Sequence, residues 1–318
     1  MGNKVTVIGA GSVGSTIAYT LAVQGQVSEI VMIDVNTKKA LGEAMDIRQG
    51  SPFMQPCKIY AGSYEDAAGS DIVVITSGIA RKPGQTRLEL CQINVNIIKS
   101  ITPQIVAACP DAIYVFVSNP VDVLTYAFHK FSGIPEKRII GSGTILDSAR
   151  LRSRIAENLS INQKDVHAFV LGEHGDSSFV PWNSVRISSL GIGEYRDRLN
   201  YREDFVAELD KDEIENYIRT SGGKVIARKG ATFYAVSVSV CDIIRTLLNG
   251  SDSVLCVSTM MHGEFGIDDV CLSIPTIVNG EGIKGTLLPA LTDDEVEKLR
   301  HSADVLKEVI AQIDFTPA

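Results

Sequence analysis

His174 stands between glycines in Leu171-Gly-Glu-His-Gly-Asp-Ser-Ser178, directly after an apolar run, where an imidazole can be presented to a cleft and exchange a proton near neutral pH. Upstream, Gly143-Thr-Ile-Leu-Asp-Ser-Ala-Arg150 sets Asp147 and Arg150 three apart, hence on one helix face with both heads reaching the same cavity. Each feature also has a plainer reading: a histidine satisfied within the fold, and an i,i+3 ion pair on a helix.

A second constellation lies at the start of the chain. Val5-Thr-Val-Ile-Gly-Ala-Gly-Ser-Val-Gly14 puts Gly9, Gly11 and Gly14 in GxGxxG register, after a strand and at the mouth of a helix. Gly9 permits the tight turn, Gly11 lets the backbone approach a pyrophosphate, and Gly14 lets the helix lie close on the sheet. Asp34 ends the next apolar run, where its carboxylate can accept from both adenosine ribose hydroxyls. The same charge would repel a 2′-phosphate, and no arginine follows immediately to offset it, so the pattern points to NAD rather than NADP.

These residues require a scaffold of strands alternating with helices. Lys4 to Gly9, Glu29 to Asp34, Asp71 to Thr76 and Ala112 to Ser118 read as buried parallel strands, and Val13 to Gln24 and Thr37 to Gln49 carry helical spacing. The class is α/β: a doubly wound parallel sheet with a second α+β domain for substrate and catalysis. A short strand at Ile139 to Gly143 ends the pattern, giving a nucleotide domain over 1–142 and a catalytic domain over 143–318. The second half is predicted to hold a helix from about Ile145 to Asn158, a strand at Ala168 to Leu171 and a polar region through 204. Helices at Asp212 to Ile226 and Thr232 to Leu247, strands at Ser253 to Thr259 and Val270 to Val278, and a charged surface helix at Asp293 to Ile313 complete it.

Composition narrows the partners. With 318 residues, 45% of them hydrophobic, two packed domains sharing a cleft are expected; a net charge of -8 without a basic block argues against nucleic acid or an anionic membrane. The six scattered cysteines lack zinc-ligand spacing and suit a reducing cytoplasm, and no metal is expected. Neither a membrane span nor a secretory leader is expected, and the myristoylation-like start overlaps Val5 and Thr6, which the first strand needs.

Taken together, the segments resemble the lactate and malate dehydrogenase superfamily over essentially the whole chain. Glu173 in the histidine segment and Lys229-Gly-Ala-Thr-Phe-Tyr234 are similar to the bacterial L-lactate dehydrogenase branch. The resemblance implies an NAD-dependent enzyme that moves a hydride at C2 of a small L-2-hydroxy acid. It implies that His174 gives a proton to the carbonyl oxygen and takes it back, that Asp147 orients the ring, and that Arg150 grips the C1 carboxylate. Arg87, on the loop Gly78 to Arg87, would polarise the carbonyl as this lid closes. Asn119 and Thr232 would line the substrate pocket. Val13, Lys39, Tyr64, Gly78, Ile79, Ser100, Val117, Asn119 and Ser142 match cofactor positions.

Within the lid, Thr76-Ser-Gly-Ile-Ala-Arg-Lys-Pro-Gly-Gln-Thr-Arg87, Arg81 stands where lactate relatives carry Gln and malate relatives carry Arg. A guanidinium there can pair with the second carboxylate of oxaloacetate, but over the methyl group of pyruvate it is a charge without a partner. The expectation is therefore an L-lactate dehydrogenase type with preference shifted or extended toward oxaloacetate. The alternatives are a malate dehydrogenase outright, a solvent-facing Arg81, and a non-catalytic NAD sensor. The resemblance further implies a homotetramer, with Arg152 and His167 matching a pair that binds fructose 1,6-bisphosphate or simple anions across a subunit interface; a helix-surface cation and a satisfied histidine are the plainer alternatives.

Overall fold

The computed structural model describes residues 3–80, 84–200 and 209–316, and of Arg196 the backbone only. Six strands open the chain: β1 (Lys4–Ile8), β2 (Glu29–Ile33), β3 (Lys58–Ala61), β4 (Ile72–Ile75), β5 (Ile113–Phe116) and β6 (Ile139–Gly141). Between them run α1 (Ser12–Gln24), α2 (Thr37–Gln49), α3 (Arg87–Ala108) and α4 (Val121–Ser132). β4 and β5, IVVI and IYVF, are buried at every residue, as parallel strands must be when helices cover both faces. The six pair in parallel in the order β3-β2-β1-β4-β5-β6. Strand order thus reverses between β1 and β4, and the crevice beyond their carboxyl ends is where such sheets take ligands.

The second half runs α5 (Ile145–Leu159), β7 (Val166–His167), β8 (Arg186–Ile187), β9 (Leu190–Gly191), α6 (Ile192–Arg198), α7 (Lys211–Lys229) and α8 (Tyr234–Asn249). It closes with β10 (Ser253–His262), β11 (Asp268–Asn279), β12 (Gly282–Thr286) and α9 (Asp293–Ile310). β10, β11 and β12 form an antiparallel meander that extends the first sheet, because β10 pairs with β6 through Ser258 and Gly141. Among the described residues the result is one nine-stranded sheet crossing the 142/143 position. α8 packs on α1, with Cys241 and Ile244 in the same core as Ile17 and Leu21, so the halves share a hydrophobic core as well as a cleft.

The strand expected at Ala168 to Leu171 is not formed as a ladder. Side chains take its backbone groups instead: Ser148 Oγ accepts from Val170 N–H at 2.9 Å, and Thr144 Oγ1 donates to Val170 O at 2.5 Å. Only Leu171 pairs, with Phe179, and the regular strand lies just before at β7, which joins β8 and β9 in a small second sheet. The charged final helix α9 ends at Ile310, and its inner face is buried through Leu299, Ser302, Ala303 and Leu306. Among the described residues no helix is long and apolar enough to cross a membrane, and the six cysteines are unpaired.

Candidate active site

The glycines after β1 divide by their surroundings. Gly9 has φ +108°, which favours glycine, and a Cβ on Gly14 would stand 1.8 Å from Gly9 O, so helix and turn touch there. Gly11 has an ordinary φ of -75°, and a Cβ there would meet nothing within 4 Å. Open space in front of Gly11, and an α1 N-terminus without a side-chain cap or a first-turn acid, fit a pyrophosphate. Asp34, beyond β2, ties this loop down: its Oδ2 accepts Ala10 N–H at 2.7 Å and its Oδ1 accepts Asn36 N–H at 2.8 Å. Each oxygen keeps a lone pair for a ribose hydroxyl, so the residues present suit NAD.

Most of the remaining cofactor candidates lie beyond strand ends on the same side of the sheet: Tyr64 after β3, Gly78 and Ile79 after β4, Val117 and Asn119 after β5, and Ser142 after β6. Val13 sits in the first turn of α1, where its carbonyl accepts the Ser237 hydroxyl of α8 at 3.3 Å. Lys39, exposed, lies in the first turn of α2, and its N–H donates to the Asn36 side chain at 3.1 Å. Ser100 stands apart, exposed midway along α3 with its hydroxyl turned back onto Ile97 O at 2.8 Å.

The chemical candidates do converge. Asn119, Asp147, Arg150, His174, Thr232 and Val13 line one cavity of about 270 Å³ between the nucleotide edge and α7. Asp147, in the first turn of α5, uses both carboxylate oxygens: Oδ2 accepts from His174 Nδ1 at 2.5 Å and Oδ1 from Arg150 Nη1 at 2.8 Å. The i,i+3 ion pair and the histidine contact therefore coexist. Arg150 lies beside Gly222 of α7, where a Cβ would stand 3.7 Å from Nη2, in ordinary contact. The Asp147 carboxylate outweighs burial and raises the His174 imidazole to about 9. Burial works against the Asp147 charge, but His174 and Arg150 hold its carboxyl below the usual range. With Nδ1 engaged by the acid, Nε2 is the nitrogen left for exchange with a ligand.

The histidine segment is held amide by amide. Gly172 exchanges backbone hydrogen bonds with Ser273 of β11 at 3.0 and 3.1 Å, Glu173 N–H donates to Ser302 Oγ of α9 at 2.7 Å, and His174 N–H to Asp122 Oδ2 of α4 at 2.8 Å. Asn94 of α3 performs a similar task beyond β4: its Oδ1 accepts Ile79 N–H at 2.9 Å while its Nδ2 donates to Asn119 O at 2.8 Å. Sequence reading passed over Asp122, Asn94 and Ser302. Asp122 left a signal, a lone acid inside the apolar helical run Val121 to Phe128.

Arg87 is placed differently from expectation. It is the first residue of α3 rather than part of a loop, because Thr86 and Glu89 form a reciprocal capping box that starts the helix there. Its Nη2 donates to Asp176 Oδ2 at 2.6 Å. Arg81 lies outside the described residues. Arg152 lines a separate groove of about 630 Å³ with Ala168, Phe169 and Tyr234, while exposed His167 lies opposite Arg186 across the β7–β8 pair.

Comparison with known proteins agrees with the fold. The family model for the lactate/malate dehydrogenase NAD-binding domain matches residues 3–141, and that for the alpha/beta C-terminal domain matches 144–315. An L-lactate dehydrogenase of Acetivibrio thermocellus is 43% identical over 98% of this chain and 98% of its own. One of Thermoanaerobacterium saccharolyticum is 43% identical over 98% of this chain and the whole of its own (100%). The crystal structure of minor L-lactate dehydrogenase from Enterococcus mundtii superposes with a TM-score of 0.93 at 35% identity, covering 99% of both chains.

Proposed function

The chain belongs to the lactate/malate dehydrogenase family and is an NAD-dependent oxidoreductase acting on CH–OH donors; we propose that it interconverts pyruvate and L-lactate, with preference extended toward oxaloacetate and malate by Arg81. The observation that carries the reading is the Asp147 carboxylate shared between His174 and Arg150 at the wall of one cavity. Residues 1–142 form the nucleotide domain and 143–318 the catalytic domain, with Arg81, Arg87 and Asn119 of the first reaching the acid.

When bound, the nicotinamide supplies or accepts the hydride at C2. The protein's part is to bind, orient and protonate. Arg150 holds the C1 carboxylate, for which a planar fork suits better than lysine. His174, charged through much of the working pH range, donates from Nε2 to the substrate oxygen, and Asp147 stabilises the charged ring beforehand. Arg87 leaves Asp176 to stabilise the developing oxyanion as the lid closes and excludes water. Asn119 and Thr232 shape the pocket, and the strand-end residues hold the nucleotide. Arg81 reads the far end of the substrate by offering a partner to a second carboxylate. His174→Asn tests the reading: turnover should fall by at least ~10²-fold while NADH still binds. Turnover near that of the unmodified enzyme would sink the assignment.

The same proposal covers assembly and control. The groove beside Arg152 exposes Tyr234 and Val238, apolar surface suited to another copy of the chain in a tetramer. Across such an interface Arg152 and His167 would take fructose 1,6-bisphosphate or another anion. Activation by that sugar, lost in Arg152→Ala or His167→Ala, is the expected result; activation that survives both places the effector elsewhere.

A further inference from the structure

A second buried carboxylate stands behind the candidate catalytic histidine. Asp122, in the first turn of α4 and 3% exposed, accepts the His174 backbone N–H through Oδ2 at 2.8 Å. Its Oδ1 is buried and makes no hydrogen bond among the described residues, and the same holds for Ser258 Oγ on β10. Ser258 and Thr125 of α4 both flank Gly141 of β6, which sets the Ser258 side chain beside α4, where its hydroxyl favours the ionised form of the Asp122 carboxyl. A serine or asparagine could accept the same N–H without the desolvation cost of a buried charge. The charge itself therefore needs an account.

We propose that Asp122 is a positioning residue for His174, with Ser258 as its partner. Its hydrogen bond fixes the backbone that carries the imidazole, and its charge, added to that of Asp147, favours the protonated ring. The inference rests on reading His174 as the proton-transfer group. The charged groups around the ring are Asp147 and Arg150 from α5 and Asp122 from α4; Asp122 itself faces His174 and Glu173 in the site segment and Cys271 of β11. Burial pushes the Asp122 carboxyl up to about 6, against the pull of Ser258 and His174. It is thus ionised over the range in which His174, at about 9, gives up its proton.

Nuclear magnetic resonance titration of the imidazoles in the full-length protein tests this without requiring turnover, the His174 signal being assigned by its loss in His174→Gln. Asp122→Asn keeps an oxygen to accept the backbone N–H but removes the charge. It should lower the His174 midpoint by about one unit. The alkaline limb of kcat/KM for the 2-oxo acid should move down equally, with NADH affinity unchanged. Ser258→Ala, a milder change, should raise the weaker inflection that Asp122 imposes on the same signal, because the buried carboxylate loses a donor. A His174 midpoint moving by less than about 0.2 unit in Asp122→Asn, or a Ser258→Ala titration superimposing on the unmodified one, would overturn the proposal. Normal turnover in His174→Gln would instead overturn the reading of His174 itself.

Discussion

Arg87 Nη2 lies 2.6 Å from Asp176 Oδ2, two residues beyond His174, so the arginine expected over the substrate carbonyl is held at the cavity mouth by an exposed partner. Both side chains are largely in solvent, 76% and 70% exposed, and such pairs contribute about 0–1 kcal/mol. Substrate can therefore draw Arg87 away cheaply. Asp176→Asn should change KM by less than about fivefold, whereas Arg87→Gln should lower kcat/KM by roughly 10²-fold or more. Steady-state kinetics of the two variants checks this; equal losses would place Asp176 in the chemistry as well.

Gly11 and Gly14 should fail in different ways. Gly11→Ala adds a methyl group in open space at an ordinary backbone angle, so its melting temperature should stay within about 2 °C of the parent while NADH binding weakens at least ~10-fold. Gly14→Ala drives a Cβ to 1.8 Å from Gly9 O and should reduce soluble, folded protein. Calorimetric NADH titration beside thermal melts separates the two; undiminished binding in Gly11→Ala would mean that no phosphate approaches there.

The pH dependence has a fixed sign. His174 must be protonated to reduce a 2-oxo acid, and its imidazole is raised from 6.5 to about 9, so kcat/KM for reduction should stay level through neutrality and fall as pH rises through that value. The oxidation direction should rise over the same interval. Stability follows the same linkage. A folded-state value above the unfolded one gives stabilisation fully present below about 6.5 and lost as pH climbs through about 9. Melting temperatures of the parent and His174→Asn should therefore differ most at or below pH 6 and converge by pH 10. A constant difference would show that Asp147 does not stabilise the charged ring.

Arg81→Gln should move the pyruvate to oxaloacetate ratio of kcat/KM toward pyruvate by orders of magnitude, since a neutral amide tolerates a methyl group where a guanidinium seeks a carboxylate. A ratio changed by less than about threefold, under ~1 kcal/mol, would make Arg81 an ordinary loop cation.

Sequence legibility followed burial and length. β1, β2, β4 and β5 were readable because strands covered on both faces become short apolar runs. β3 (KIYA) and β12 (GIKGT) were missed because edge strands carry lysine and glycine and lack that signature. β7, β8 and β9, two residues each, are set by tertiary pairing rather than local pattern. In the site, His174, Asp147 and Arg150 were legible because their residue types and spacing announce a shared space. Asp122, Asn94 and Ser302 act across 15 to 129 positions of chain, through a backbone amide, and no local spacing encodes such a contact. The capping box at Thr86 and Glu89 was readable, and it would have placed Arg87 on the helix.

The most direct test of proton and hydride exchange at C2 is the steady-state oxidation of NADH by the purified protein, measured with pyruvate and with oxaloacetate and followed by determining the configuration of the product. Turnover of both acids, giving the L-hydroxy acid in each case, is the expected result. Tight NADH binding without turnover of either 2-oxo acid would contradict it and leave a nucleotide-binding protein in which Asp147, Arg150 and His174 form no more than a buried ion-pair network.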